Sequence, residues 1–228
     1  MDIYGLEKLS LVDYEGFMCA TVFTGGCNFN CPFCHNAGLI RKEVDKLNTD
    51  EVLDYLRKRK GLLDAVTISG GEPTLESGLC DFIKKVKEIG YKIKLDTNGT
   101  RPEVLKALLN NGLIDYVAMD IKNNFGDYAP ITCVKNVWVD KVKESLEILS
   151  SSGINYELRT TLVKEYHKKD NILQMAEDLK GQNLLYLQKF VDSGSCNQSG
   201  LNEIDKAEAN NFKQILEKTI KNVVLRGY

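Results

Sequence analysis

The chain has 228 residues, 43% of them hydrophobic, and sets 30 Lys and Arg against 32 Asp and Glu for a formal charge of -2. That length supports one domain or two small ones with a sizeable core. It excludes a disulfide-stapled miniprotein, the hydrophobic fraction argues against wholesale disorder, and the charge balance provides no global basic field for a nucleic acid or an anionic bilayer. Seven Cys point to metal or redox chemistry in a reducing compartment, and two His leave little room for a His-based zinc site or a Ser-His-Asp triad.

Asp2, Glu7, Asp13 and Glu15 stand where an export signal needs basic and then apolar residues, and no run reaches the roughly 18 apolar residues of a membrane span. A cytoplasmic protein without a membrane partner is expected. Strands are predicted at Phe17-Phe23, Ala65-Ser69, Tyr91-Asp96, Tyr116-Asp120, Ile154-Thr161 and Leu184-Lys189, with a further one at Val223-Arg226. Helices fill the gaps. Asn48 with Glu51 reads as a capping box opening a helix that Gly61 closes, and Thr100 with Glu103 and Pro102 opens another ending at Asn111-Gly112. Apolar stripes run from Leu79 to Ile89 and from Val142 to Leu149, and a long last helix is expected from about Glu203 to Lys221.

This alternation predicts an α/β fold with a parallel sheet and right-handed crossovers. A full eight-unit barrel takes about 250 residues, so six units here suggest an incomplete (β/α)6 parallel barrel, with an open doubly wound sheet as the competing arrangement. Either one puts ligands at the C-terminal ends of the strands. Residues 1–228 read as a single domain. Lys122 to Val137, the longest irregular stretch, is a lid, a partner-binding loop or a plain surface connection.

Just after the first predicted strand, Gly25-Gly26-Cys27-Asn28-Phe29-Asn30-Cys31-Pro32-Phe33-Cys34-His35 sets three thiols at C-x3-C-x2-C spacing. A covalent haem site at Cys31-Cys34-His35 leaves Cys27 unexplained. A thioredoxin-type dithiol should open a helix, which Pro32 and its neighbours disfavour. Structural zinc would need the adjacent Cys34 and His35 on one ion. The fourth reading is a 4Fe-4S cluster with three protein ligands and one open iron.

CNFNCPFC resembles the signature of radical S-adenosylmethionine enzymes, in which an aromatic residue, here Phe33, precedes the third cysteine. The resemblance implies a 4Fe-4S cluster on Cys27, Cys31 and Cys34, with S-adenosylmethionine on its open iron. Electron transfer to the sulfonium then yields a 5'-deoxyadenosyl radical, so no acid or base need be sought among the side chains.

The other strand ends supply polar groups. Ser69-Gly70-Gly71-Glu72-Pro73 is an ordinary turn or, by the resemblance, the GGEP-like motif at the methionine amino group, with Gly70 and Gly71 offering backbone atoms and Glu72 fixing the loop. Asp96-Thr97-Asn98-Gly99 and Asp120-Ile121-Lys122 contain capping or turn residues, or acceptors and a donor for the cofactor's polar parts. The resemblance puts Asp96 at the amino group or a nearby cation, Asn98 in the same cofactor-binding segment, Asp120 at the ribose and Lys122 at the carboxylate. Arg159 is a cofactor contact or the partner of a buried carboxylate. Cys19, Cys80, Cys133 and Cys196 read as buried or incidental, and His167 as a surface residue.

From Leu6-Glu7-Lys8-Leu9-Ser10-Leu11-Val12-Asp13-Tyr14 through VFTGGCNFNCPFCHN to LRTTLV, the chain resembles the activating proteins of anaerobic ribonucleoside-triphosphate reductases. Such activases take a hydrogen atom from a glycine of a glycyl radical enzyme, and the resemblance implies that partner and a flavodoxin- or ferredoxin-like electron donor. Departures are Glu15 before Gly16, where related activases often have Pro, and the lack of a family signature after Gln188. The alternatives are activation of another glycyl radical enzyme, such as pyruvate formate-lyase, a small-molecule radical reaction, or a non-catalytic iron-sulfur electron-transfer module.

Overall fold

The computed structural model describes residues 1–135, 138–192 and 194–228. Their contacts divide them into two compact units, each drawn from three separated stretches: Met1–Asn28, Gly38–Ala118 and Lys141–Asn155 in the first, Phe29–Ala37, Met119–Asp140 and Tyr156–Tyr228 in the second.

The first unit opens with a strand the sequence reading did not contain. β1 (Ile3–Ser10) pairs antiparallel with β2 (Cys19–Thr24), and the pairing slips between Ile3 and Gly5 and again between Glu7 and Ser10. Each slip resets which side chains face inward, so β1 never shows the period of two by which a strand is recognised. β2 begins two residues later than predicted because Phe17 belongs to the turn before it: its N–H donates to Tyr14 O at 3.0 Å and its ring packs against Tyr14, centroids 4.7 Å apart.

After α1 (Ala37–Ile40) and α2 (Thr49–Arg59), β3 (Ala65–Gly70) pairs parallel with β2. Asn48 caps α2 by accepting from Asp50 N at 2.8 Å. α3 (Leu79–Ile89) leads to β4 (Lys92–Thr97), parallel to β3, and α4 (Pro102–Asn110) follows. Thr100 does not cap α4. Arg101 holds that position without a side-chain capping bond, since the Thr100 hydroxyl is committed to Asn98 and Asn28. Val22, Val66, Ile68, Ile93 and Leu95 of the strands and Leu53, Leu56, Phe82, Ile83 and Val86 of the helices are buried in this unit. Each contributes about 1.5–3 kcal/mol from water exclusion.

The chain passes into the second unit within β5 (Tyr116–Asp120). The predicted irregular stretch from Lys122 is largely ordered. Asn124 caps a 3-10 turn at Phe125–Asp127, and α5 (Tyr128–Thr132) continues from it; Asn136 and Val137 of that stretch lie outside the described residues. α6 (Val139–Ser152) belongs from Lys141 on to the first unit, and the second resumes within β6 (Asn155–Leu162), followed by α7 (Lys169–Asp178), β7 (Leu185–Lys189), α8 (Lys206–Leu216) and β8 (Val223–Arg226). β6, β7 and β8 pair in parallel and in sequence order.

α8 is shorter than the helix expected over Glu203 to Lys221. Asp205 accepts from Glu208 N at 2.9 Å and starts it late, while Thr219 O and Lys221 N bond to Gly181 and Gln182 and draw the chain out of the helix. The fold class is the expected one, α/β with a sheet of the parallel type, to which β1 adds an antiparallel edge.

Candidate active site

In the first unit the ends of β2, β3 and β4 are bound into one another. Gly71 N donates to Thr24 O at 3.0 Å and Glu72 N to Gly26 O at 2.8 Å. Gly70 has φ +117°, and a Cβ there would stand 2.3 Å from Thr24 O; one on Gly71 would stand 1.8 Å from Gly26 O. The glycine pair thus admits the chain's own backbone, which settles why these positions carry no side chain.

Glu72 is 1% exposed. Its Oε1 accepts from Thr74 N at 3.1 Å, from the Thr74 hydroxyl at 2.5 Å and from the Thr97 hydroxyl at 2.7 Å, and its Oε2 from Asn98 N at 2.6 Å. Burial pushes its pKa up, which these donors only partly offset. The carboxylate joins the turn after β3 to the segment after β4. Asp96 accepts from the Ser69 hydroxyl at 3.0 Å and faces Lys94 at 3.4 Å. Asn98 carries its amide nitrogen to 3.8 Å from Cys27 Sγ.

In the second unit Cys34 N donates to Cys31 O at 3.1 Å, so these two cysteines share one turn. The turn is held by segments distant in sequence. Asn30 N donates to Thr132 O at 2.9 Å, Gln198 N to Pro32 O at 2.9 Å, and the Asn197 amide to Cys31 O at 3.0 Å. Burial pushes the Cys31 thiol up to about 11, against the pull of Lys122, and also raises Cys34. Lys122 Nζ stands 5.9 Å from the centre of the buried Phe33 ring.

Asp120 lies between two cations, accepting from Lys122 Nζ at 2.8 Å and Arg159 Nε at 2.9 Å. Of the two readings offered for Arg159, the structure displays the ion pair. Two residues to which the sequence reading gave no part complete the surroundings. Tyr128 Oη accepts from Lys122 N at 3.1 Å, and His167 is fully buried, its Nε2 at 3.0 Å from Lys122 O and its Nδ1 bonded to the Val163 backbone. His167 is therefore no surface residue. Burial brings its pKa down to about 4, which leaves the ring neutral. Its charged neighbours Lys168, Lys169 and Asp170 concealed this in the sequence, and only its bonds to the Val163 backbone and Lys122 O in the folded chain reveal it.

None of the seven cysteines is in a disulfide. Cys19 is buried, Cys133 exposed, and Cys196 lies 3.8 Å from His35 Nδ1. Among the described residues, no three His, Cys, Asp or Glu side chains are grouped to hold a single metal ion. An iron-sulfur cluster makes a different demand, one thiolate on each of several irons.

Fold and motifs define a radical enzyme of the S-adenosylmethionine type: residues 21–179 match the Radical SAM superfamily, and the chain belongs to it. Its cofactors are a 4Fe-4S cluster and S-adenosylmethionine. The residues present fit them, with soft, uncrosslinked thiols at C-x3-C-x2-C spacing, an amide donor aimed at the first sulfur, and paired cations and carboxylate for a zwitterionic ligand.

A protein of Methanocaldococcus jannaschii bearing the provisional name glycyl-radical enzyme activating enzyme is 32% identical over 98% of this chain and 95% of its own. The pyruvate formate-lyase-activating enzyme of Clostridium pasteurianum is 29% identical over 78% of this chain and 76% of its own. A Methanothermobacter marburgensis protein named as a GTP 3',8-cyclase is 24% identical over 78% of this chain and 59% of its own. Among solved structures, SuiB of Streptococcus suis bound to its precursor peptide superposes with a TM-score of 0.70 at 14% identity, over 91% of this chain and 48% of that longer one. That likeness concerns the fold. No helix among the described residues is long and apolar enough to cross a membrane.

Proposed function

We propose that this radical enzyme is a cytoplasmic glycyl-radical activase whose partner is a glycyl radical enzyme, in first place an anaerobic ribonucleoside-triphosphate reductase, and that residues 1–228 act as one catalytic domain. The observation that carries the reading is the likeness to the Methanocaldococcus protein over nearly the whole of both chains. A flavodoxin- or ferredoxin-like protein supplies the electron. Cys27, Cys31 and Cys34 hold the cluster, an assignment supported by their spacing and by their not being in disulfides.

When bound, the cluster would supply the single electron for reductive cleavage of the C–S bond of S-adenosylmethionine, giving methionine and a 5'-deoxyadenosyl radical. The chain's own residues bind and orient. Gly70, Gly71 and Glu72 shape the turn for the methionine amino group, with Asp96 and Asn98 beside it. Asp120 serves the ribose, Lys122 the carboxylate, and Arg159 keeps Asp120 ionised. Phe33 closes the cysteine turn against water. The partner's glycine gives up a Cα hydrogen atom, 5'-deoxyadenosine leaves, and the unpaired electron remains on that glycine.

Mixing the reduced, reconstituted protein anaerobically with S-adenosylmethionine and the reductase should give a glycyl electron-spin-resonance doublet that simplifies when Cα-deuterated glycine is incorporated. A reductase with the target glycine changed to Ala should give none. The match to a GTP 3',8-cyclase favours a second reading, a small-molecule substrate. Formation of 5'-deoxyadenosine with a nucleotide, and no doublet with any glycyl radical enzyme of the source organism, would establish it in place of the first.

A further inference from the structure

Asn98 is a buried side chain whose orientation is determined at each polar atom. Its Oδ1 accepts from Thr100 N at 3.1 Å and from the Thr100 hydroxyl at 2.7 Å. A backbone N–H can only donate, so the amide oxygen faces Thr100 and the nitrogen faces the opposite way. Nδ2 donates to Asn28 Oδ1 at 2.8 Å and stands 3.8 Å from Cys27 Sγ. Asn28 closes the ring by donating to the Thr100 hydroxyl at 2.8 Å. The Asn98 main chain is anchored as well, its N–H donating to Glu72 Oε2 at 2.6 Å.

We infer that Asn98 is a positioning residue whose amide N–H donates to the Cys27 sulfur of the bound cluster and raises the cluster's reduction potential. The inference rests on the proposed role of Cys27 as a cluster ligand. A thiolate on iron carries negative charge, and one-electron reduction increases it. An N–H···S bond therefore strengthens on reduction and stabilises the reduced state. The Thr100, Asn28 and Glu72 contacts hold the donor in place beforehand, so little reorganisation opposes electron uptake. The donor belongs to the segment after β4, and Glu72 of the GGEP turn fixes that segment through the Asn98 backbone.

The test compares reconstituted wild type with Asn98→Leu, which keeps the shape without donor or charge, and with Asn98→Asp, which keeps acceptors for Thr100. Iron and sulfide content is measured first, then the reduced cluster is titrated against potential by electron spin resonance. At a fixed potential the ratio of reduced to oxidised cluster should fall about tenfold in Asn98→Leu, a shift of ~59 mV for one electron. Asn98→Asp should shift further in the same direction. In wild type the iron–cysteine stretching bands should move on exchange into D2O, and both variants should lose part of that movement. If Asn98→Leu does not load a cluster, Asn98→Asp and the isotope shift decide the matter.

A loaded variant that titrates like wild type with an unchanged isotope shift would overturn the role of Asn98. Full cluster content in Cys27→Ser would instead overturn the ligand assignment beneath it, and this inference with it.

Discussion

Burial by itself would raise the pKa of Asp120, yet the adjacent Arg159 and Lys122 outweigh it and bring the carboxyl down to about 2. His167, under the same stretch of backbone, has no such counterweight. Its pKa of about 4, against 6.5 when unfolded, means that the unfolded chain binds the extra proton. His167 therefore contributes stability that is complete above pH 6.5 and lost as the pH falls toward 4. In urea unfolding of the cofactor-free protein, this side chain should remove about 2 kcal/mol between pH 7 and pH 5. His167→Gln should start less stable at pH 7, for want of buried hydrogen bonds, and lose about 2 kcal/mol less on acidification. Parallel pH profiles for the two proteins would show that the ring is not the titrating group. Asp120, Lys122 and Arg159 were each singled out from the sequence, and a buried carboxylate was one partner read for Arg159, but which carboxylate was not legible, because no sequence spacing places residue 159 on residue 120.

At the scale of elements, the crossing of the β2 and β3 ends constrains the chain most tightly. A methyl group on Gly71 meets the Gly26 backbone at 1.8 Å, where no side chain can swing aside. Gly71→Ala should cost at least the 1–3 kcal/mol usual for overpacking, read as a lowered melting temperature, and should reduce cluster loading because Gly26 immediately precedes Cys27. Gly38→Ala makes the contrast: it lies in α1 with its nearest neighbour 4.0 Å away and should be neutral or stabilising by up to about 1 kcal/mol. Equal losses in the two variants would mean that the close approach is not the cause. The paired glycines were legible as a special turn, whereas the identity of what approaches them was not. The same holds for Asn197 and Gln198, whose bonds to Cys31 and Pro32 span more than 160 positions and have no local signature.

For the whole molecule, the charge of -2 implies that encounter with a macromolecular partner is not driven by a strong net field. The rate of glycyl radical formation at limiting partner should change by less than about threefold between 0.05 and 0.3 M NaCl, where a strongly steered association falls steeply. A tenfold or greater fall would reveal a charged docking surface that the net balance conceals. The exposed apolar residues Leu9, Leu11, Val12 and Met18 lie in or beside the β1–β2 connection in the first unit.

The alternation of short branched strands with amphipathic helices and the spacing of Cys27, Cys31 and Cys34 are local patterns. The first of these determined the fold class, since backbone periodicity is decided within a few residues, while the family and the cofactors came from the resemblance carried by the cysteine, GGEP and DTNG motifs. β1 escaped because its two register slips erase its period, and α8 was overdrawn because its limits are set by Asp205 and by bonds to Gly181 and Gln182. The tertiary structure decided that His167 lies buried beneath Lys122, that Arg159 pairs with Asp120, and that Asn98 reaches Cys27. Each of these joins residues brought together by packing rather than by sequence, and hydrogen bonds and ion pairs depend on distances of a few ångströms that only the folded chain sets.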